Sequence, residues 1–301
     1  MELSQLTTEK TNERTEHIDK LSTLDMLALM NEEDRGVWAA VAKILPAVAQ
    51  AVELIAARLK RGGRLFYLGA GTSGRLGVLD AAECPSTFGT DPALVQGLIA
   101  GGNAAMFKAQ EGAEDDPTLA EADLRRVNFT SRDVLLGIAA SGRTPYVIGG
   151  LRYARKLSAA TVALACVENP ALAAEADILL NPVTGAEVIA GSTRLKAGTA
   201  QKLTLNMIST AVMIKLGKVY GNLMVDVRAS NEKLRLRARR MVMTVGDCSE
   251  EVAENLLEQA GGGAKLAIFM AKTGLGAAQG EQFLQKADGR LSLALDMAKG
   301  V

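Results

Sequence analysis

The sequence predicts an α/β protein: a doubly wound, mostly parallel sheet of about five strands, preceded by N-terminal helices and followed by a small helical domain. Three observations predict it. Short apolar runs recur at residues 65–68, 94–99, 134–138, 161–166 and 178–180, and most are separated by segments long enough for a helix. Glycine- and hydroxyl-rich turns follow the first and third runs, as expected where a strand feeds a helix N-terminus. The chain has 301 residues, 48% of them hydrophobic, enough for a full core.

Taken in order, residues 19–61 carry apolar positions at helical spacing: Leu21, Leu24, Leu27 and Met30, then Val41, Ile44, Leu45, Val48, Val52, Ile55 and Leu59. This predicts two helices, with a kink in the second at Pro46. The run 65–68 is bounded by Gly62-Gly63 and Gly69-Ala70-Gly71, the pattern of a buried strand entering a tight loop. After Thr193, Leu203, Leu205, Met207, Ile208, Val212, Ile214 and Leu216 predict a helix of roughly seven turns, apolar nearly all round and therefore buried. The basic run Lys233 to Arg240 is short and alternates with apolar residues, so it reads as the solvated face of a further helix. Ser249-Glu250-Glu251 supplies an N-cap and acidic first turn for the C-terminal helices. The resulting division is a helical arm over 1–54, a ligand-binding sheet domain over 55–218 and a small helical domain over 240–301.

Composition excludes several functions. Lys+Arg and Asp+Glu balance at 34 each and aromatics are 4%, which offers neither an electrostatic footprint for nucleic acid nor a stacking platform. Cys84, Cys166 and Cys248 are too few and too far apart for a disulfide scaffold, and they match no metal-ligand spacing. With no apolar leader or membrane-length run, the expectation is a soluble protein of a reducing cytoplasm, with no membrane partner. The single histidine, His17, leaves acid–base chemistry to carboxylates, and no metal or other cofactor is expected.

Three turns could hold a phosphorylated sugar. Gly69-Ala70-Gly71-Thr72-Ser73-Gly74-Arg75 satisfies the dinucleotide glycine spacing, but the segment after Ile99 reads Ala100-Gly101-Gly102-Asn103 and lacks the acidic ribose-binding residue. The Thr72 and Ser73 hydroxyls and the backbone N–H groups instead suit a phosphate. Ser141-Gly142-Arg143-Thr144-Pro145 is a second such loop, although Ser141 and Thr144 as plain helix caps remain the alternative. Ser192-Thr193-Arg194 with Lys196 opens the long helix as a third. Two carboxylates stand out: Glu83 extends the stripe Leu76, Leu79, and Glu114 extends Phe107, Gln110, both at i, i+3, i+7. Enclosure would raise their pKa toward neutrality and suit them to proton transfer, whereas the neighbours Glu111, Asp115 and Asp116 allow a solvated acidic cluster instead.

The stretches from Gly69 to Pro85, Glu111-Gly112-Ala113-Glu114-Asp115, Ser141 to Tyr146 and Gly191 to Thr199 resemble the N-acetylmuramic acid 6-phosphate etherases. The resemblance runs from about Thr8 into the C-terminal helices and implies a sugar isomerase (SIS) domain. It further implies cleavage of the lactyl ether of N-acetylmuramic acid 6-phosphate by a cytoplasmic homodimer in amino-sugar recycling. By the same resemblance Glu83 matches the proton donor and Glu114 a second essential carboxylate. Ala139 and Ala140 stand where related isomerases often carry more polar residues. Two other readings stay as alternatives, a sugar-phosphate-sensing regulator and an aldose–ketose isomerase, while a paired-carboxylate glycosidase is disfavoured by the fold and the phosphate loops.

Overall fold

The computed structural model describes residues 7–108, 110–227 and 232–299. The chain forms two compact units, one of the residues up to Ala82 with Ala93–Ser209, the other of Glu83–Pro92 with the residues from Thr210 onward. In the first, α1 (Thr23–Lys43) and α2 (Leu45–Lys60) precede β1 (Leu65–Gly69), α3 (Gly71–Phe88) and β2 (Val95–Ile99). Then follow α4 (Leu119–Arg126), β3 (Val134–Ile138), α5 (Pro145–Lys156), β4 (Ala160–Leu164), β5 (Ile178–Leu180) and α6 (Lys196–Lys215). All five strands are parallel, in the order β2-β1-β3-β4-β5.

β1, β3 and β4 are buried along their whole length, which is why they appear in the sequence as largely apolar runs, with the buried Thr161 hydroxyl of β4 bonded to Asp177. Alternate residues of β1 serve opposite faces. A Cβ on Gly77 of α3 would come within 2.8 Å of Tyr67 Cβ, and one on Gly150 of α5 within 2.1 Å of Leu68 Cδ2, so glycine lets each helix lie directly on the sheet. The Tyr67 hydroxyl donates to Asp80 at 2.8 Å, and Asp80 also accepts from Asn206 (2.6 Å) and Ser209 (3.1 Å) of α6. The helix α6 is thereby fastened to α3 by a buried polar knot.

Four expectations are corrected. Pro46 does not kink a helix; it stands in the first turn of α2, where its missing N–H costs nothing, and α1 meets α2 at a 57° bend. The fourth expected strand is shifted from 161–166, β4 beginning at Ala160 and ending at Leu164, whereas β5 lies at the expected residues 178–180. The helix α6 begins at Lys196 and has 20 residues, about five and a half turns, and Ile214 is 52% exposed, so it is not buried all round. Residues 102–108 and 110–115 form a short 3-10 turn and loops, which leaves Phe107 96% exposed and removes the helical face on which Glu114 was expected to follow it.

In the second unit, α7 (Glu232–Gly246), α8 (Glu250–Gln259), α9 (Ala264–Thr273), α10 (Ala277–Lys286) and α11 (Leu291–Ala298) enclose Val242, Ile268, Phe269 and Leu291. Ser249 caps α8 as expected. Lys233, Arg235, Arg237 and Arg240 of the basic run are exposed, while Arg239 pairs with Glu250 at 2.7 Å and with Glu254. Among the described residues no single helix is long and apolar enough to cross a membrane.

Candidate active site

Ligands of doubly wound sheets bind where the strand order reverses, beyond the carboxyl ends of the strands. Here that point lies between β1 and β3, whose final residues Gly69 and Ile138 are in register. The turn after β1 is very tight: Gly74 N–H donates to Ala70 O at 3.1 Å, and a Cβ on Gly69 would meet Gly74 N at 2.7 Å. Thr72 and Ser73 therefore occupy the opening turn of α3. In the neighbouring loop Gly142 has φ +68°, and a Cβ there would lie 2.3 Å from Pro170 Cβ, so both conformation and space call for glycine. Pro145 begins α5, and the N-cap residue Thr144 makes no side-chain capping bond.

A cavity of about 650 Å³ opens at these loops, and its lining includes Thr72, Ser73, Glu114, Ser141, Thr144 and Thr193. Gly198 at the start of α6 brings Thr193 into this company, since a Cβ there would touch Thr193 O at 3.5 Å and Thr72 Cγ2 at 3.6 Å. Glu114 is held by its backbone: its carbonyl accepts the N–H of Tyr146, in the first turn of α5, at 3.0 Å. Hydroxyl donors beside helix N-termini suit a phosphate, and a carboxylate in the same cavity suits proton transfer on the molecule the phosphate anchors. Among the described residues no group of three His, Cys, Asp or Glu side chains could hold a metal ion.

The profile of the family described as the glucokinase regulatory protein N-terminal SIS domain matches residues 47–155. An Escherichia coli protein, solved as a complex, shares the fold at a TM-score of 0.50 and 16% identity, covering 67% of this chain and 97% of its own. An N-acetylmuramic acid 6-phosphate etherase of Clostridium beijerinckii is 56% identical over 98% of this chain and 97% of its own length. That of Caldanaerobacter subterraneus is 54% identical over 99% of this chain and 97% of its own. The chain belongs to the N-acetylmuramic acid 6-phosphate etherase family.

Against the etherase resemblance, four of the expected site residues lie elsewhere than in the cavity lining. Gly142 shapes the loop without lining the space. Ser192 and Lys196 stand beside it, but the Lys196 amine is turned to Glu33 at 2.8 Å, where both side chains are buried. Glu83 is exposed on α3, and Ser86 Oγ donates to its carbonyl at 3.1 Å and to its carboxylate at 3.4 Å. Leu79 of the same stripe is 53% exposed, and Glu114 is exposed as well. Neither carboxylate therefore has the enclosure expected for it.

Sequence reasoning also missed contributors. Arg143 lines the cavity from within a loop already singled out, and Glu9 reaches it from the N-terminal arm, where no periodicity marks it. Arg75 is engaged otherwise: its guanidinium donates to Met106 O at 2.9 Å and Ala105 O at 2.7 Å, bracing the 3-10 turn. Gln201, almost fully buried on α6, accepts the Ser73 hydroxyl at 3.0 Å and so fixes where that hydroxyl sits. The start of α6 is occupied by Glu187, which accepts the backbone N–H groups of Lys196 and Ala197, each at 2.9 Å.

Two predictions arise from this geometry. Because Thr144 makes no capping bond, its hydroxyl is available to a ligand. Ser141→Ala and Thr144→Ala should weaken sugar-phosphate binding by about 1–3 kcal/mol with little loss of stability, measured by calorimetric titration beside thermal melting. Glu187 gives the second. Burial raises its pKa above the ordinary 4.5 against the lowering effect of its two backbone donors. The folded state then holds this proton more tightly than the unfolded chain, so the associated stability falls as pH rises from about 4.5 through the raised value. Glu187→Gln should remove that slope from a series of urea unfolding curves.

Proposed function

We propose that this chain hydrolyses the lactyl ether of N-acetylmuramic acid 6-phosphate to N-acetylglucosamine 6-phosphate and D-lactate. The observation that carries the reading is 54–56% identity to relatives of that name along nearly the entire chain. The cavity supports it chemically, joining hydroxyl donors and a cation for the phosphate to the carboxylate of Glu114.

In the open-chain sugar the C2 hydrogen lies beside the aldehyde and is acidified by it. Glu114 removes that proton, the electron pair forms the C2–C3 double bond, and the C3–O bond breaks as the departing lactate oxygen takes a proton. The resemblance gives that last proton to Glu83. Water then adds its hydroxyl to C3 and a proton to C2, which restores the saturated sugar, so the sequence is balanced without an oxidant or reductant. Thr72, Ser73, Ser141, Thr144 and Thr193 hold the phosphorylated sugar in this scheme, and Gly142 keeps the second loop open for it.

The same reading carries a cytoplasmic homodimer. Support for the dimer comes from α1, where Leu24 (76% exposed), Leu27 and Trp38 (62% exposed) stand within about 60° of one another around the helix axis. Incubation with N-acetylmuramic acid 6-phosphate and enzymatic assay of D-lactate tests the activity. Absence of lactate with intact sugar-phosphate binding would favour a sensing role, which the match to the regulatory protein's SIS domain makes the second reading.

A further inference from the structure

The cavity holds a carboxylate that neither the etherase scheme nor the sequence motifs use. Glu9 lines it together with Glu114, although 105 positions separate the two residues in the chain. The arm that carries Glu9 is fastened on both sides of that residue. Thr8, fully buried, accepts the N–H of Gly191 on its carbonyl at 3.2 Å, and Thr15 Oγ1 donates to Val188 O at 2.8 Å in a buried bond. Space for the carboxylate is kept by Gly191: its φ is +76°, and a Cβ there would stand 3.1 Å from Glu9 Oε2. The arm is thus docked, and the loop it docks on is shaped around the acid it delivers.

The charge of Glu9 limits what it can face. Like charges repel, so a carboxylate is disfavoured at the phosphate end, where Arg143 and the Ser141 and Thr144 hydroxyls gather. An ionised carboxylate only accepts hydrogen bonds, and the neutral part of a phosphorylated sugar is rich in O–H donors. We propose that Glu9 is a substrate-contacting residue that accepts hydrogen bonds from the hydroxyl groups of the bound sugar phosphate. Together with the loops after β1 and β3, it orients the sugar chain so that C2 faces Glu114. The assignment of C2 to Glu114 rests on the etherase reading; the sugar contact by Glu9 rests on the cavity.

The test compares two probes, N-acetylglucosamine 6-phosphate and inorganic phosphate, titrated into wild type, Glu9→Ala and Glu9→Gln. Glu9→Ala should weaken the sugar phosphate about tenfold or more while changing inorganic phosphate less than twofold. The nearly isosteric Glu9→Gln should retain part of the affinity and all of the thermal stability. In turnover, both variants should raise KM for the muramic substrate. Equal loss for both probes would mean that Glu9 only supports the loops, and unchanged sugar-phosphate affinity in both variants would remove it from the site. Either result overturns the proposal. Failure of the wild type to release D-lactate would instead sink the etherase reading and leave the binding comparison intact.

Discussion

Glu114→Gln is expected to lower D-lactate release by roughly 10²–10⁴-fold and to abolish exchange of the substrate C2 hydrogen with solvent deuterium. Glu83→Gln is expected to lower lactate release by a similar factor while leaving the exchange in place. The two results differ because elimination contains two proton transfers, one at C2 and one at the departing oxygen. Each amide preserves the size of its side chain, so circular dichroism should be unchanged for both. NMR of substrate recovered from heavy water reads the exchange. Exchange that survives in Glu114→Gln but not in Glu83→Gln would reverse the two roles, and normal lactate release from either variant would take that residue out of the chemistry. The exposed position of Glu83 sharpens the experiment, since an exposed carboxylate without a catalytic task tolerates amidation at almost no cost.

The largest stability effect is expected from the ion pair beside the site. Lys196 and Glu33 are 6% and 7% exposed at 2.8 Å, and Glu33 also accepts from Asn12 at 2.8 Å and pairs with Arg14 at 2.8 Å. Burial by itself would raise the Glu33 pKa, but the hydrogen bonds and charges of Lys196, Asn12 and Arg14 outweigh it and hold the group below its ordinary value. Its stabilising contribution is present above pH 4.5 and is lost as the pH falls below that value. Removing the carboxylate strands a buried ammonium, so Glu33→Ala should cost about 3–5 kcal/mol in urea unfolding. Lys196→Ala should cost less, because Arg14 and Asn12 still serve Glu33. Combining Glu33→Ala with Lys196→Met should recover most of the loss. If Lys196 instead contacts the phosphate, the double variant will regain stability yet lose the sugar phosphate.

The central strands were legible because parallel strands buried on both faces are rich in apolar residues, as residues 134–138 illustrate. The hydroxyl loops were legible because glycines with demanding geometry, such as Gly142, sit at fixed offsets from strand ends. What the sequence hid is what depends on distant partners. Nothing near Lys196 in the sequence points to its ion pair with Glu33, which lies 163 positions away. Glu9 lay in a polar arm with no pattern to distinguish it from solvated chain. Phe107, Gln110 and Glu114 have helical spacing, but Gly112, between the last two, takes a left-handed φ of +77° that an α-helix does not accommodate.

The hydrogen bond from Tyr146 N–H to Glu114 O ties the carboxylate proposed as the general base to the loop proposed to receive the phosphate. A phosphate seated on that loop therefore acts as a distant handle: its binding energy is available to hold the reacting groups in line and need not all appear as affinity. A substrate offered in two pieces would reveal this. Dephosphorylated N-acetylmuramic acid should turn over very slowly alone, and added inorganic phosphate should accelerate it by filling the vacated anchor, raising kcat more than it lowers KM.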